Sequence, residues 1–179
     1  MKTKLLVPTD FTQEAHSAIQ HAVKNVQDFH KHQFPDNWVK TSPHGYEYGI
    51  QYSAIDTVGL YVPGGRALYP SSVVMNAVPA VIAGVSHIVM ATPPQKDGNI
   101  APEILVAAAE CGVHTIIKAG GAQVVFAMAQ GTSQIPRVDK IVGPGNAYVD
   151  RAKQLVYGMI DIDKPAGPSE VLVYVTDDT

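Results

Sequence analysis

The stretch that decides the fold is Asp56–Ala91, DTVGLYVPGGRALYPSSVVMNAVPAVIAGVSHIVMA. Val58–Val62 is a short apolar run that stops at Pro63-Gly64-Gly65. Ser71–Ala83 follows with helical apolar spacing, and Ser86–Ala91 is a second apolar run. The two runs are continuous instead of alternating, as expected for strands covered on both faces. Strand, helix and strand in this order, with short connections, predict parallel strands joined by a right-handed crossover.

The same unit repeats downstream. A helix is predicted over Ala101–Cys111, with Pro102 at its start, then a strand over His114–Lys118 and a helix over Ala122–Gln130. Lys140–Val142 reads as a strand, Asn146–Val156 as a helix, and Met159–Ile162 and Val171–Val175 as two further strands. A parallel sheet would ordinarily continue into a helix after Val175, so the ending at Thr179 suggests a truncated chain. Upstream, Phe11, Ala15, Ala18, Ile19, Ala22, Val23, Val26 and Phe29 recur at spacings of three and four, an amphipathic helix. Asp10 and Gln13 resemble a capping box at its start. Phe34–Ser53 is turn-rich, and Tyr46, Tyr48, Ile50 and Tyr52 alternate, so it reads as a long loop or a short hairpin. The fold class is therefore α/β, a parallel sheet of incomplete Rossmann-like βα units with an N-terminal helix from a neighbouring lobe. The expected division is 1–55 as helix and linker, 56–165 as the sheet lobe, and 166–179 as a strand returning to the adjoining lobe.

Composition narrows the function classes. Apolar residues make up 46% of the 179, enough for a buried core. The formal charge of −3 argues against general phosphate-backbone binding, so no nucleic-acid partner is expected. The opening MKTKLLVPTDF is basic, but its apolar run Leu5–Val7 is too short for a signal peptide or a membrane span. A soluble, cytoplasmic protein without a membrane partner is the expectation. Cys111 is the single cysteine, so neither an intramolecular disulfide nor a four-thiolate zinc cage can form.

Four loops carry polar or glycine-rich chemistry. Tyr61-Val62-Pro63-Gly64-Gly65, Gly120-Gly121-Ala122-Gln123 and Gly143-Pro144-Gly145-Asn146 each follow a strand and precede a helix. In open α/β sheets ligands bind outside the carboxyl ends of the strands, where glycines allow close backbone approach. Gln123 falls in a first helical turn, and its amide can donate and accept. The Gly-x-Gly of the third loop lacks the last glycine of the dinucleotide fingerprint, because Tyr148 stands there. In the fourth loop, Ala166-Gly167-Pro168-Ser169-Glu170, Ser169 and Glu170 follow a tight turn and read either as contacts for a polar substrate or as turn chemistry, with Ser169 on local backbone and Glu170 paired to a lysine. No Gly-x-Ser-x-Gly elbow occurs, and no two of the seven histidines stand three or four apart. A zinc site built wholly within this chain is not expected.

Taken as an ordered set, these residues resemble histidinol dehydrogenase. The matching runs are VGLYVPGGRALYPSSVVMNAVPA, IVMATPPQKDGNIAP, GGAQ, GTSQIPRVDKIVGPGNAYV and AGPSEVLV, with NVQDFHKHQ just upstream. The resemblance implies a homodimeric, cytoplasmic enzyme of histidine biosynthesis. It would oxidise L-histidinol to L-histidine in two hydride transfers to NAD, with zinc holding the substrate. It implies that Tyr61, Gln123 and Asn146 contact NAD and that Ser169 contacts the substrate. The family's zinc-binding Gln-x-x-His, its Glu-His general base and its remaining zinc ligands lie beyond the counterpart of Thr179. No catalytic residue and no metal ligand is therefore assigned within these residues, and the chain alone is expected to be inactive. Phe126 and Gln130 depart from the family pattern. The alternative is a stand-alone nucleotide-binding module without catalysis. LLVPTDFT resembles the first strand of universal stress proteins, and Gly121 with Gly131-Thr132 matches half of that family's phosphate loop, with Lys118 where its first glycine is required.

Overall fold

The computed structural model describes residues 12–64, 68–165 and 172–173. In chain order the elements are α1 (Gln13–Lys31), β1 (Trp38–Thr41), β2 (Glu47–Ile50), β3 (Thr57–Tyr61), α2 (Pro70–Ile82), β4 (His87–Ala91), α3 (Pro102–Glu110), β5 (Thr115–Ile117), α4 (Ala122–Gln130), β6 (Lys140–Val142), α5 (Ala147–Val156) and β7 (Asp161–Ile162). Strands β3 to β7 form one parallel sheet in the order β5-β4-β3-β6-β7. The expected α/β architecture is present.

The strand order explains where a ligand can sit. From β3 the chain steps outward to β4 and then β5, with α2 and α3 on one face. It then returns across the sheet through α4 to β6, on the other side of β3. Val58, Leu60, Ile88 and Met90 pack against α2 and α3 in one core cluster. Tyr61, Val89, Ile141 and Ile162 pack against α4 and α5 in the other, with Phe126 against its margin. The loops leaving β3 and β6 therefore turn to opposite faces, which opens a crevice between their carboxyl ends.

Helix α1 packs on α2 and α3, and its Ile19 and Val23 join the first cluster. Its cap differs from the expected box. Thr12 is the N-cap, with extended backbone, and its Oγ1 accepts from Ala15 N–H at 3.2 Å. Gln13 is then the first helical residue and stands two positions before the third helical residue that would complete a capping box with Thr12; Asp10 lies outside the described residues. Phe34–Ser53 contains an antiparallel hairpin, with Trp38 opposite Ile50 and Lys40 opposite Tyr48. All eight strand residues of this hairpin are exposed, and it is separate from the five-stranded sheet. Met159–Ile162 shrinks to the two residues of β7, which pair only with Lys140 and Ile141 of β6. Of the strand expected over Val171–Val175, only Leu172 and Val173 are described; both are exposed and in no strand.

Cys111 ends α3 facing the first cluster, 4% exposed. Burial pushes its thiol up to about 12, with Glu110 adding to the rise. The unfolded chain loses this proton at lower pH than the folded chain, so folding is penalised as pH rises above the thiol's ordinary range. Urea unfolding at pH 8 and pH 10 is expected to show wild type losing of order 1 kcal/mol more stability than Cys111→Ala over that interval. Equal losses in both proteins would contradict the buried neutral thiol.

Candidate functional site

Three of the four sequence-selected loops meet at the carboxyl edge of the sheet. Tyr61 is the last residue of β3 and is 4% exposed. Its side chain lies on the α4–α5 face, and its hydroxyl accepts from Gly121 N–H at 3.0 Å, over the end of β4. Its main chain meets the third loop. Gly143 has φ +112°, and a Cβ there would run into the Tyr61 carbonyl oxygen. Tyr61 thus joins the loop after β5 to the loop after β6.

The glycines serve this loop-on-loop packing. A Cβ on Gly64 would stand 3.1 Å from Pro93 Cγ, and one on Gly120 2.9 Å from Pro93 Cβ, so the proline ring is wedged between the two loops. Gly145 is closed against the Val149 side chain in the same way. Close approach to protein, and not only to a ligand, requires glycine at these positions.

The two helix starts at this edge are finished differently. Asn146 is the N-cap of α5, and its Oδ1 accepts from Tyr148 and Val149 N–H, both at 3.1 Å. Its amide nitrogen has no partner among the described residues, and the residue is exposed. Helix α4 starts at Gly121, with φ +78° and no side-chain cap. The Gly121 N–H is taken by the Tyr61 hydroxyl, and no N-cap side chain satisfies the N–H groups that follow it in the first turn of α4, beside the exposed Gln123. Such a terminus favours an anionic group. Gly121 and Gly131, which together suggested half of a phosphate loop, bracket opposite ends of α4 and do not form one loop.

Sequence reasoning missed the groups under the third loop. Lys153 of α5 is buried, donates to the Gly143 carbonyl oxygen at 3.0 Å and forms an ion pair with Asp163. Asp163 Oδ2 in turn accepts from Gly143 N–H at 2.9 Å. A signal existed: Val149, Ala152, Lys153 and Val156 share the buried face of α5, and a lysine in an apolar stripe requires a partner. At the amino ends of β6 and β7, Lys140 holds Asp161 at 2.6 Å and its hydrogen bond lowers the Asp161 carboxyl below the usual range. Ser169 lies outside the described residues. Among the described residues no group of three or more His, Cys, Asp or Glu side chains could hold a metal ion. His87 and His114 lie with ring centroids 5.7 Å apart and planes tilted by 50°, but His114 Nδ1 already accepts from Ile88 N–H at 3.1 Å. No described helix is long and apolar enough to cross a membrane.

An open parallel sheet with its loops gathered at a strand-order reversal defines the class of α/β lobe that binds ligands at its carboxyl edge. Residues 7–179 match the sequence profile of histidinol dehydrogenase, and the chain belongs to that family. It is 54% identical over 156 residues to histidinol dehydrogenase of Halalkalibacterium halodurans, covering 87% of this chain and 37% of that protein. Over 155 residues it is 51% identical to histidinol dehydrogenase of Bacillus subtilis, covering 87% of this chain and 36% of that protein. The crystal structure of histidinol dehydrogenase from Elizabethkingia anophelis superposes with a TM-score of 0.84 at 39% identity, covering 93% of this chain and 41% of that one. The chain thus spans little more than a third of the length of these curated relatives.

The Tyr61 hydroxyl links the first loop to the second through the Gly121 N–H. Tyr61→Phe is expected to cost about 1 kcal/mol in urea unfolding, because a partly buried N–H loses its acceptor. It should also shift the Gly121 amide resonance more than the other glycine amides. An unchanged Gly121 signal would mean that the hydroxyl holds nothing.

Proposed function

We propose that this chain carries the NAD-binding lobe of a histidinol dehydrogenase. The observation that carries the reading is the reversal of strand order between β3 and β6, with Tyr61, Gln123 and Asn146 on loops that converge there. The donor set fits a dinucleotide. Open N–H groups at the α4 start suit its anionic phosphates, and the Gln123 and Asn146 amides suit its neutral polar edges. Tyr61 would support the cofactor from beneath through its tie to Gly121. The bound nicotinamide would supply the hydride acceptor. The residues of this chain bind and orient it.

The same reading takes 56–165 as the cofactor lobe, and 1–55 with 166–179 as parts of the adjoining lobe. Membership of the family supports L-histidinol as substrate, Ser169 as its contact, and a cytoplasmic homodimer as the form of the whole enzyme. Zinc is different: the described residues offer no donor set that fits it. The 179-residue polypeptide is accordingly proposed to bind cofactor without turning histidinol over by itself.

Two measurements test this. Calorimetry is expected to detect NAD binding by the wild-type chain. Asn146→Ala should weaken that binding by about tenfold, the cost of leaving a buried polar ligand group unpaired, beyond any loss of helix stability from the missing cap. A folded wild-type chain that takes up no NAD would overturn the cofactor reading. Assayed at saturating histidinol with NAD and zinc, the polypeptide is expected to show no NAD reduction above background. Turnover abolished by Ser169→Ala would show a complete site within these residues.

A further inference from the structure

We propose that Lys153 and Asp163 form a positioning pair that clamps the Gly143-Pro144-Gly145-Asn146 turn and so fixes the Asn146 amide offered to the cofactor; its ligand side rests on the NAD reading above. The pair grips one peptide residue from both sides. Lys153 Nζ donates to the Gly143 carbonyl, Asp163 Oδ2 accepts from the Gly143 N–H, and the two charges are paired with each other. The lysine side chain is 4% exposed and the aspartate 33%. A charge held this far from water is retained only with its partners in place, and charge-assisted hydrogen bonds are the strong ones.

The grip acts where the turn has least freedom of its own. Gly143 holds a positive φ directly above the Tyr61 carbonyl. Three residues later Asn146 closes the turn by capping the same helix that carries Lys153. Both ends of the turn are therefore anchored to α5, one through the Lys153 ammonium and one through the Asn146 side-chain oxygen. Asp163 adds the edge strand: its own N–H donates to Ile141 O at 3.2 Å, continuing the β6–β7 ladder. With the Asn146 oxygen committed to the helix, its amide nitrogen is left at a fixed place on the crevice rim. Lys153 is buried, and the Asp163 carboxylate is committed to Lys153 and to the Gly143 N–H, so the pair acts through Gly143 and Asn146.

The test uses the full 179-residue chain, labelled with ¹⁵N, in three variants: Asp163→Leu, Asp163→Asn and the doubly apolar Lys153→Met/Asp163→Leu. The double variant removes both charges together, so no stranded lysine confounds folding. Its melting temperature is expected to stay near that of wild type, while Gly143 amide exchange accelerates about tenfold or more and the Asn146 side-chain amide signals broaden. Its NAD dissociation constant should rise by about tenfold. Asp163→Asn keeps an acceptor for Gly143 N–H and should recover most of the protection lost in Asp163→Leu, a rescue that mere packing would not produce. Unchanged Gly143 exchange and Asn146 signals in the double variant, or in Asp163→Leu if the double variant does not fold, would overturn the clamp. Failure of wild type to bind NAD would overturn the cofactor reading instead, because the exchange and side-chain signals judge the clamp without any ligand.

Discussion

Strand β3 is confined on every side, and the rest of the lobe is arranged around that confinement. All five of its residues pair with β4 along one edge, and Val58, Gly59 and Leu60 pair with β6 along the other. Val58 and Leu60 are buried toward α2 and α3, and Tyr61 toward α4 and α5. Gly59 has so little room that a Cβ would stand 3.1 Å from Met128 Sδ and 3.2 Å from a Val138 methyl. The tight seat of α4 over β3 depends on that missing side chain. A strand packed this completely cannot shift its register or tilt, so the position of its carboxyl end is fixed by the whole core.

That fixed end sets the loops. Gly143 must pass over the Tyr61 carbonyl, Gly121 must reach the Tyr61 hydroxyl, and Gly64 and Gly120 must close on the two sides of Pro93. Four backbone segments converge on a few ångströms of space. The contacts of Gly143, Gly64 and Gly120 leave little or no room for a Cβ, and Gly121 holds a positive φ, so glycine density at this edge is first a backbone and packing requirement. A glycine-bearing loop in a sequence therefore points to close approach without saying what approaches. The ligand reading gains its support from the side chains left over after packing is satisfied, the exposed Gln123 and the free half of the Asn146 amide.

The sheet lobe was legible from local pattern because local pattern and tertiary environment agree there. Ala122–Gln130 lies between Gly121 and Gly131, both at positive φ, and the predicted bounds coincide with α4. Lys140–Val142 likewise coincides with β6. The hairpin stayed open between two readings because it is exposed on both faces, so one-sided burial leaves no decisive alternation. Met159–Ile162 looked longer than β7 because its apolar residues serve a turn and a bridge, Tyr157 to Ile160, before the ladder starts. Tyr61, Gln123 and Asn146 were legible as loop residues. The ties among them were not, because Tyr61 to Gly121 spans 60 residues. Nor was the capping oxygen of Asn146, whose dual use appears only when the helix start is seen.

The contrast between the two helix starts gives the edge its chemical division of labour. At α5 the N–H groups of Tyr148 and Val149 are spent on Asn146, so that terminus offers a neutral amide in place of free backbone donors. At α4 no side chain caps the first turn, so its donors and the positive end of the helix dipole stay available. An extended ligand lying across the crevice would meet an anion-seeking end over β5 and a neutral, directional end over β6. On the cofactor reading proposed above, the phosphates of a dinucleotide would lie toward the α4 end and one of its neutral halves toward the α5 end. A simple phosphate would use only the α4 end and leave the anchored Asn146 turn without a task.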